Sequence, residues 1–206
     1  MTRDVILVPG LWNPSGMLWL LAARLRRAGY APHIFDYSGR ASLGGNVERL
    51  ARFARETLGD RPAHFIGHSL GGVLVLETLN RHPNIAVASA LLLGSPVRGS
   101  FAGRRFGRTR LGRWMMGESA RCWEERDARW SRAAPLGVLA GSVGIGLGRM
   151  IGGRLPGVHD GVVQVEETAV EGMAARKVVR QPHSWMPVSP GVARITETFL
   201  RTGSFG

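Results

Sequence analysis

Apolar residues gather along this chain in short runs at 5–8, 31–35, 63–66, 86–93, 136–140 and 177–179, each of strand length and each followed by glycine, proline or a charged residue. Between most of these runs lie stretches of helical length, at 18–28, 43–58, 70–81 and 192–201, in which apolar and polar residues alternate with the helical period. Near-continuous apolar runs, rather than an in–out alternation, are what strands covered on both faces require. The pattern predicts an α/β fold: a mostly parallel sheet of about six strands with helices on both faces. No internal repeat or low-complexity linker divides the chain, and 206 residues with 44% hydrophobic content suffice for one core, so residues 1–206 are read as a single domain.

In an open parallel sheet the chemistry collects beyond the carboxyl ends of the strands, so the residues just past each apolar run carry the functional signal. The third run leads into Gly67-His68-Ser69-Leu70-Gly71, a G-x-S-x-G set between a strand-like and a helix-like segment. That context is what a nucleophile elbow needs: a sharp strand-to-helix turn lifts the serine hydroxyl off the sheet, and the glycines leave room for crowded backbone. Past the fifth run and a loop come His159-Asp160-Gly161, and past the sixth come Pro182-His183-Ser184. Serine, acid and histidine therefore occur in the chain order expected of this fold.

Each residue type has a task. A serine hydroxyl is a weak nucleophile at neutral pH, so His183 would take its proton during attack and return it to the leaving group. Asp160 would accept the other imidazole N–H and stabilise the imidazolium. The tetrahedral oxyanion needs two donors, for which the backbone N–H groups of Leu11, from the loop after the first run, and of Leu70 are the candidates. Among the rivals, Asp36 ends a strand but precedes the serine, and His159 precedes the acid; both break the chain order.

Charge and cysteine content narrow the function classes. The net charge of +12 arises from 27 basic residues, all but one of them arginine, against 15 acids. So lopsided an arginine usage argues more for gene composition than for a nucleic-acid partner, and a solvated basic surface is preferred to a dedicated anionic partner. Cys122 is the only cysteine, which excludes an internal disulfide and a thiolate metal cluster, and no metal-ligand spacing is present. The start of the chain has no apolar stretch suited to export, and the most apolar long segment, 135–151, falls short of the roughly 20 residues of a membrane span. The expected location is cytoplasmic.

These segments resemble the α/β-hydrolase superfamily, and within it the small esterase and lipase branch similar to class 2 bacterial lipases and to the GPI-inositol deacylase. The resemblance rests on Val8-Pro9-Gly10-Leu11-Trp12, Gly67-His68-Ser69-Leu70-Gly71-Gly72, the run 93–100 and the run 159–168. It implies ester hydrolysis by a Ser-Asp-His triad without a cofactor, falling here on Ser69, Asp160 and His183. Proline stands at Pro9 where the family usually has histidine, and His159 stands where asparagine is common.

The segment 98–132 carries ten arginines and four acids among aromatic and sulfur residues, and it is the least core-like part of the chain. Its place after the fourth run suits a cap over Ser69. An amphipathic helix there would turn Trp114 and Met115 to an acyl chain and arginines to solvent or to an anionic membrane surface; a helix packed permanently on the sheet is the other reading. Trp12, beside the oxyanion loop, is a further substrate-binding candidate. The sequence thus predicts a serine hydrolase acting on small-molecule or lipid acyl esters, with thioester hydrolysis or acyl transfer by the same triad as alternatives. A non-catalytic binding protein of the same fold is the reading from another class. Oligomeric state is left open.

Overall fold

A computed structural model of the protein describes residues 2–11, 16–145 and 155–206. The strands are β1 (Asp4–Val8), β2 (Ala31–Ile34), β3 (Ala63–His68), β4 (Val87–Leu93), β5 (Leu136–Gly141) and β6 (Ala175–Val179). They form one sheet in the order β2-β1-β3-β4-β5-β6, with every neighbouring pair parallel. The helices are α1 (Gly16–Arg27), α2 (Leu43–Leu58), α3 (Leu70–Arg81), α4 (Phe101–Gly107), α5 (Arg110–Met116) and α6 (Pro190–Thr202).

The alternation of side chains along each strand splits the core into two layers. Ile6, Val8, Phe65, Leu92 and Val138 pack with α2 and α3 on one face, while Val5, Leu7, Ile66, Leu91 and Leu139 pack with α1 and α6 on the other. The amphipathic spacing of α2 explains its place: Val47, Leu50, Ala51, Ala54 and Leu58 form one buried stripe. Ser42 caps this helix by accepting a hydrogen bond from the Gly45 N–H. On the opposite layer, a Cβ at Gly137 would come within 2.7 Å of the Phe199 ring, so the bare backbone of β5 makes the space that this fully buried aromatic fills.

In the segment 98–132, which the sequence leaves open between a cap and a helix packed on the sheet, large side chains join the core. Phe106, Met116, Cys122, Trp123 and Trp130 are buried in the same core layer as α2 and α3, and the Trp123 indole N–H donates to the Met116 sulfur at 3.0 Å. This stretch looked least core-like because its arginines are numerous. Short helices and turns let the core residues face inward while Arg105, Arg108, Arg110 and Arg113 stay exposed, and the half-buried Arg104, Arg126 and Arg132 donate to backbone carbonyls. Among the described residues no helix is long and apolar enough to cross a membrane.

Candidate active site

Ser69 sits between β3 and α3 with φ 55° and ψ −126°, the only non-glycine residue at positive φ among those described. Such a conformation is costly for a residue with a Cβ and persists only where its surroundings impose it. Those surroundings are the elbow glycines. A Cβ at Gly67 would fall 2.4 Å from the Gly72 Cα, and one at Gly71 would fall 2.2 Å from the Val8 carbonyl oxygen. Any side chain at either place would push α3 away from the sheet. The Ser69 N–H donates to Leu93 O at 2.9 Å, which fixes the turn against the end of β4.

Directly beyond Leu93 lies Gly94, and there the acid and the histidine arrive. A Cβ at Gly94 would stand 3.1 Å from Asp160 Oδ2 and 3.2 Å from His183 Nδ1. His183 Nδ1–H donates to Asp160 Oδ2 at 2.7 Å, and the His183 backbone N–H donates to Asp160 O at 2.9 Å. Both side chains are buried, Asp160 to 1% exposure. Its other oxygen, Oδ1, accepts the backbone N–H groups of Val162 at 2.9 Å and Val163 at 2.7 Å. Its two oxygens thus meet three N–H groups, which orient the carboxylate, and as an acceptor toward Nδ1 it favours the Nδ1–H tautomer of His183. In that tautomer Nε2, on the far side of the ring, is the remaining acceptor.

The loop after β1 comes equally close. A Cβ at Gly10 would fall 2.8 Å from the Ser69 Cβ, so glycine is needed for this loop to pass beside the serine. Leu11 follows it, and Leu70 opens α3, whose first N–H groups have no partner within the helix. Leu70 thus adjoins Ser69 in the chain, and Leu11 follows the glycine that passes beside it. Where Pro9 removes the family's usual histidine, the Tyr37 hydroxyl donates to Pro9 O at 2.9 Å and supports the loop from the end of β2. Burial, helped by nearby Cys122 and Asp36, pushes the Tyr37 phenol well above its ordinary pKa, so it remains a donor at any physiological pH.

The other histidines have different partners. His33 pairs with Asp4, His64 with Ser89, His82 with Glu48, and His159 accepts from the Gly161 N–H. Asp36 is exposed beyond the edge strand β2, on the opposite side of β3 from His183. His68 is more closely involved: its Nε2–H donates to the His183 carbonyl at 3.1 Å, and the two rings lie 4.8 Å apart. Burial, and then the neighbouring His183, lower its pKa to about 3, so it is a neutral donor and not a competing base.

Of the substrate-binding candidates, Trp12 lies outside the described residues. Met115 is half-buried against the core, and Trp114 is 66% exposed with the Arg40 guanidinium 5.5 Å over its ring. Three positioning groups escaped the sequence reading: Tyr37, His68 and Glu167. The Glu167 carboxylate accepts the N–H of Gln164 at 2.8 Å and that of Phe101, joining the Asp160 loop to the start of α4. Only His68, inside the elbow, had a local signal; Tyr37 and the Glu167 tie to Phe101 depend on contacts distant in sequence. Among the described residues no cluster of three or more histidine, cysteine or acidic side chains is placed to hold a metal ion.

A parallel sheet with a strained serine at the exit of its third strand, and a buried acid–histidine pair delivered from the loops around β5 and β6, is the arrangement of an α/β hydrolase. The chain belongs to the alpha/beta hydrolase family, whose model matches residues 5–200. Among solved structures it is similar to a metagenomic carboxyl esterase, with a TM-score of 0.68 at 17% identity over 97% of this chain and 75% of that one. It is also similar to a pyrethroid hydrolase from Sphingobium faniae, with a TM-score of 0.62 at 14% identity over 98% of each chain. A third similar structure is a type II thioesterase of the yersiniabactin pathway, with a TM-score of 0.63 at 15% identity over 96% of this chain and 92% of that one. No curated protein matches the sequence.

Proposed function

We propose that the protein is a serine hydrolase of carboxylic esters, with Ser69 as nucleophile, His183 as general base and acid, and Asp160 as the group that orients and stabilises the imidazolium. The Ser69 oxygen attacks the ester carbonyl as its proton passes to His183 Nε2. The oxyanion is held by the N–H groups of Leu11 and Leu70, and the alkoxide leaves with the proton from His183. Water, activated by the same histidine, then releases the acid from the acyl-enzyme. The observation that carries this reading is the buried Asp160–His183 hydrogen bond at 2.7 Å, opening onto the strand exit to which the Ser69 turn is bonded. A buried carboxylate beside an imidazole is costly to maintain for stability alone, which favours a working role for the pair.

Esterase structures among the similar folds agree with this reading, and the thioesterase structures keep thioester hydrolysis as its nearest variant, since the same groups serve either acyl donor. The experiment is labelling with a fluorophosphonate, followed by assays on paired oxygen and thiol esters of one acyl group. Wild-type protein should label at Ser69 and hydrolyse short aryl esters. Ser69→Ala should do neither while keeping its circular dichroism spectrum. Hydrolysis by purified Ser69→Ala at the wild-type rate would remove the serine mechanism.

A further inference from the structure

Large apolar side chains left in solvent are distributed unevenly on this molecule. Trp19 and Leu20 lie in the first turns of α1, just past the exit of β1, and Trp185 lies in the turn His183–Val188 beyond β6. Leu111 and Trp114 lie on α5, which is tied to the loop after β2 by the stacking of Arg40 on Trp114 and by the Glu118 N–H bond to Arg40 O. All five are on the edge of the sheet that carries Ser69, and the three tryptophans are 64–66% exposed. Among the described residues the loops at the opposite, amino-terminal edge expose no large apolar side chain.

Charge follows the same polarity around α5. Arg105, Arg108, Arg110 and Arg113 are exposed beside Leu111 and Trp114, and among the described residues none of the four forms an ion pair. Arg104, Arg126 and Arg129 nearby are paired, with Glu125, Glu77 and Glu171. These four arginines outnumber the two exposed acids that share a hollow with Arg108 and Arg113, Glu118 and Glu124, so a net positive charge surrounds the exposed indole and leucine. Indole rings settle at the depth of lipid headgroups, where an apolar body and a polar N–H are both accommodated, and arginines beside them meet the lipid phosphates.

We propose that the edge bearing Ser69 docks on an anionic lipid bilayer, with α5 as its principal anchor. The apolar anchors are spread over three separate elements, α1, α5 and the turn His183–Val188. A fluid headgroup layer accepts each independently, whereas a protein partner would favour one clustered hot spot. The docking surface stands by itself; that the enzyme draws its ester from the bilayer rests on the serine hydrolase reading above.

Co-sedimentation with vesicles of phosphatidylcholine, alone or mixed equally with phosphatidylglycerol, tests the docking on Ser69→Ala protein, which would leave the lipid intact. Binding is expected to the mixed vesicles only, and it should weaken as salt rises, because exposed charges are screened over a Debye length. Leu111→Ser, and separately Arg108→Glu with Arg113→Glu, should each weaken it by about tenfold or more. Neither change should alter hydrolysis of a soluble acetate ester when placed in the protein with Ser69 intact. Equal binding to both vesicle types, or undiminished binding by both variants, overturns the proposal. Failure of the folded protein to bind the mixed vesicles also overturns it and leaves the patch to an acidic protein partner. Vesicle binding by a protein that proves inert toward esters would refute the hydrolase reading alone.

Discussion

His68 shows how a residue beside Ser69 acts on stability and geometry together. It is enclosed between the elbow and the backbone of His183, and its pKa of about 3 lies far below the ordinary value of 6.5. In the unfolded chain the imidazole takes up a proton below about pH 6.5, while the folded protein refuses one until about pH 3. The unfolded state therefore binds more protons across that window, and stability is complete above it and lost as pH falls. The slope for one such group is about 1.4 kcal/mol per pH unit, and His64, also lowered by burial, acts in the same direction. Urea titrations at a series of pH values should show this acid sensitivity, and His68→Gln, which keeps a donor amide but does not titrate, should flatten it. An unchanged slope in that variant would mean the proton is taken up elsewhere.

At the scale of elements, the central question is how the loop carrying Asp160 is kept in register, since no strand contains it. Glu167 supplies the tie, its two carboxylate oxygens accepting the Phe101 and Gln164 N–H groups, while its backbone carbonyl accepts that of Arg98 at 3.1 Å. Glu167→Ala would strand two partly buried donors, a loss of about 1–3 kcal/mol, and should also lower kcat by loosening the acid loop. Glu167→Gln should fall between, because its amide nitrogen would face one of the two donors. Thermal melts and single-ester kinetics check both, and a melt unmoved in Glu167→Ala would show that the loop is held by other contacts. This tie also marks the limit of what the sequence reveals. Helices 43–58 and 70–81 were legible to the residue because a capping serine and a nucleophile elbow fix their starts, and the chain order singled out Ser69, Asp160 and His183. The start of β6 at Ala175 was not, because an edge strand exposed at Lys177 and Val178 lacks the apolar run of a central one. Nor were Tyr37, whose partner lies 28 residues away, and the tie of Glu167 to Phe101, 66 residues away.

Across the whole molecule, the sheet order separates the parts of the site by their neighbours. Ser69 leaves β3, which is flanked by β1 and β4 and buried throughout, whereas His183 follows β6, the last strand on its side, paired only with β5. Edge strands lie at the low end of local stability and can open while the centre of the sheet stays closed. Hydrolase activity should therefore disappear at a lower urea concentration than the bulk helical signal. Amide exchange should be faster at Lys177 and Val178 than at Phe65 and Ile66. Coincident loss of activity and ellipticity would place β6 inside the global unfolding unit. If the strand does open alone, the enzyme has an off state close at hand. A molecule in that state would keep most of its structure and its serine, would be silent toward substrate, and would return to work without refolding from the start, so specific activity would report the fraction of time one short strand spends in place.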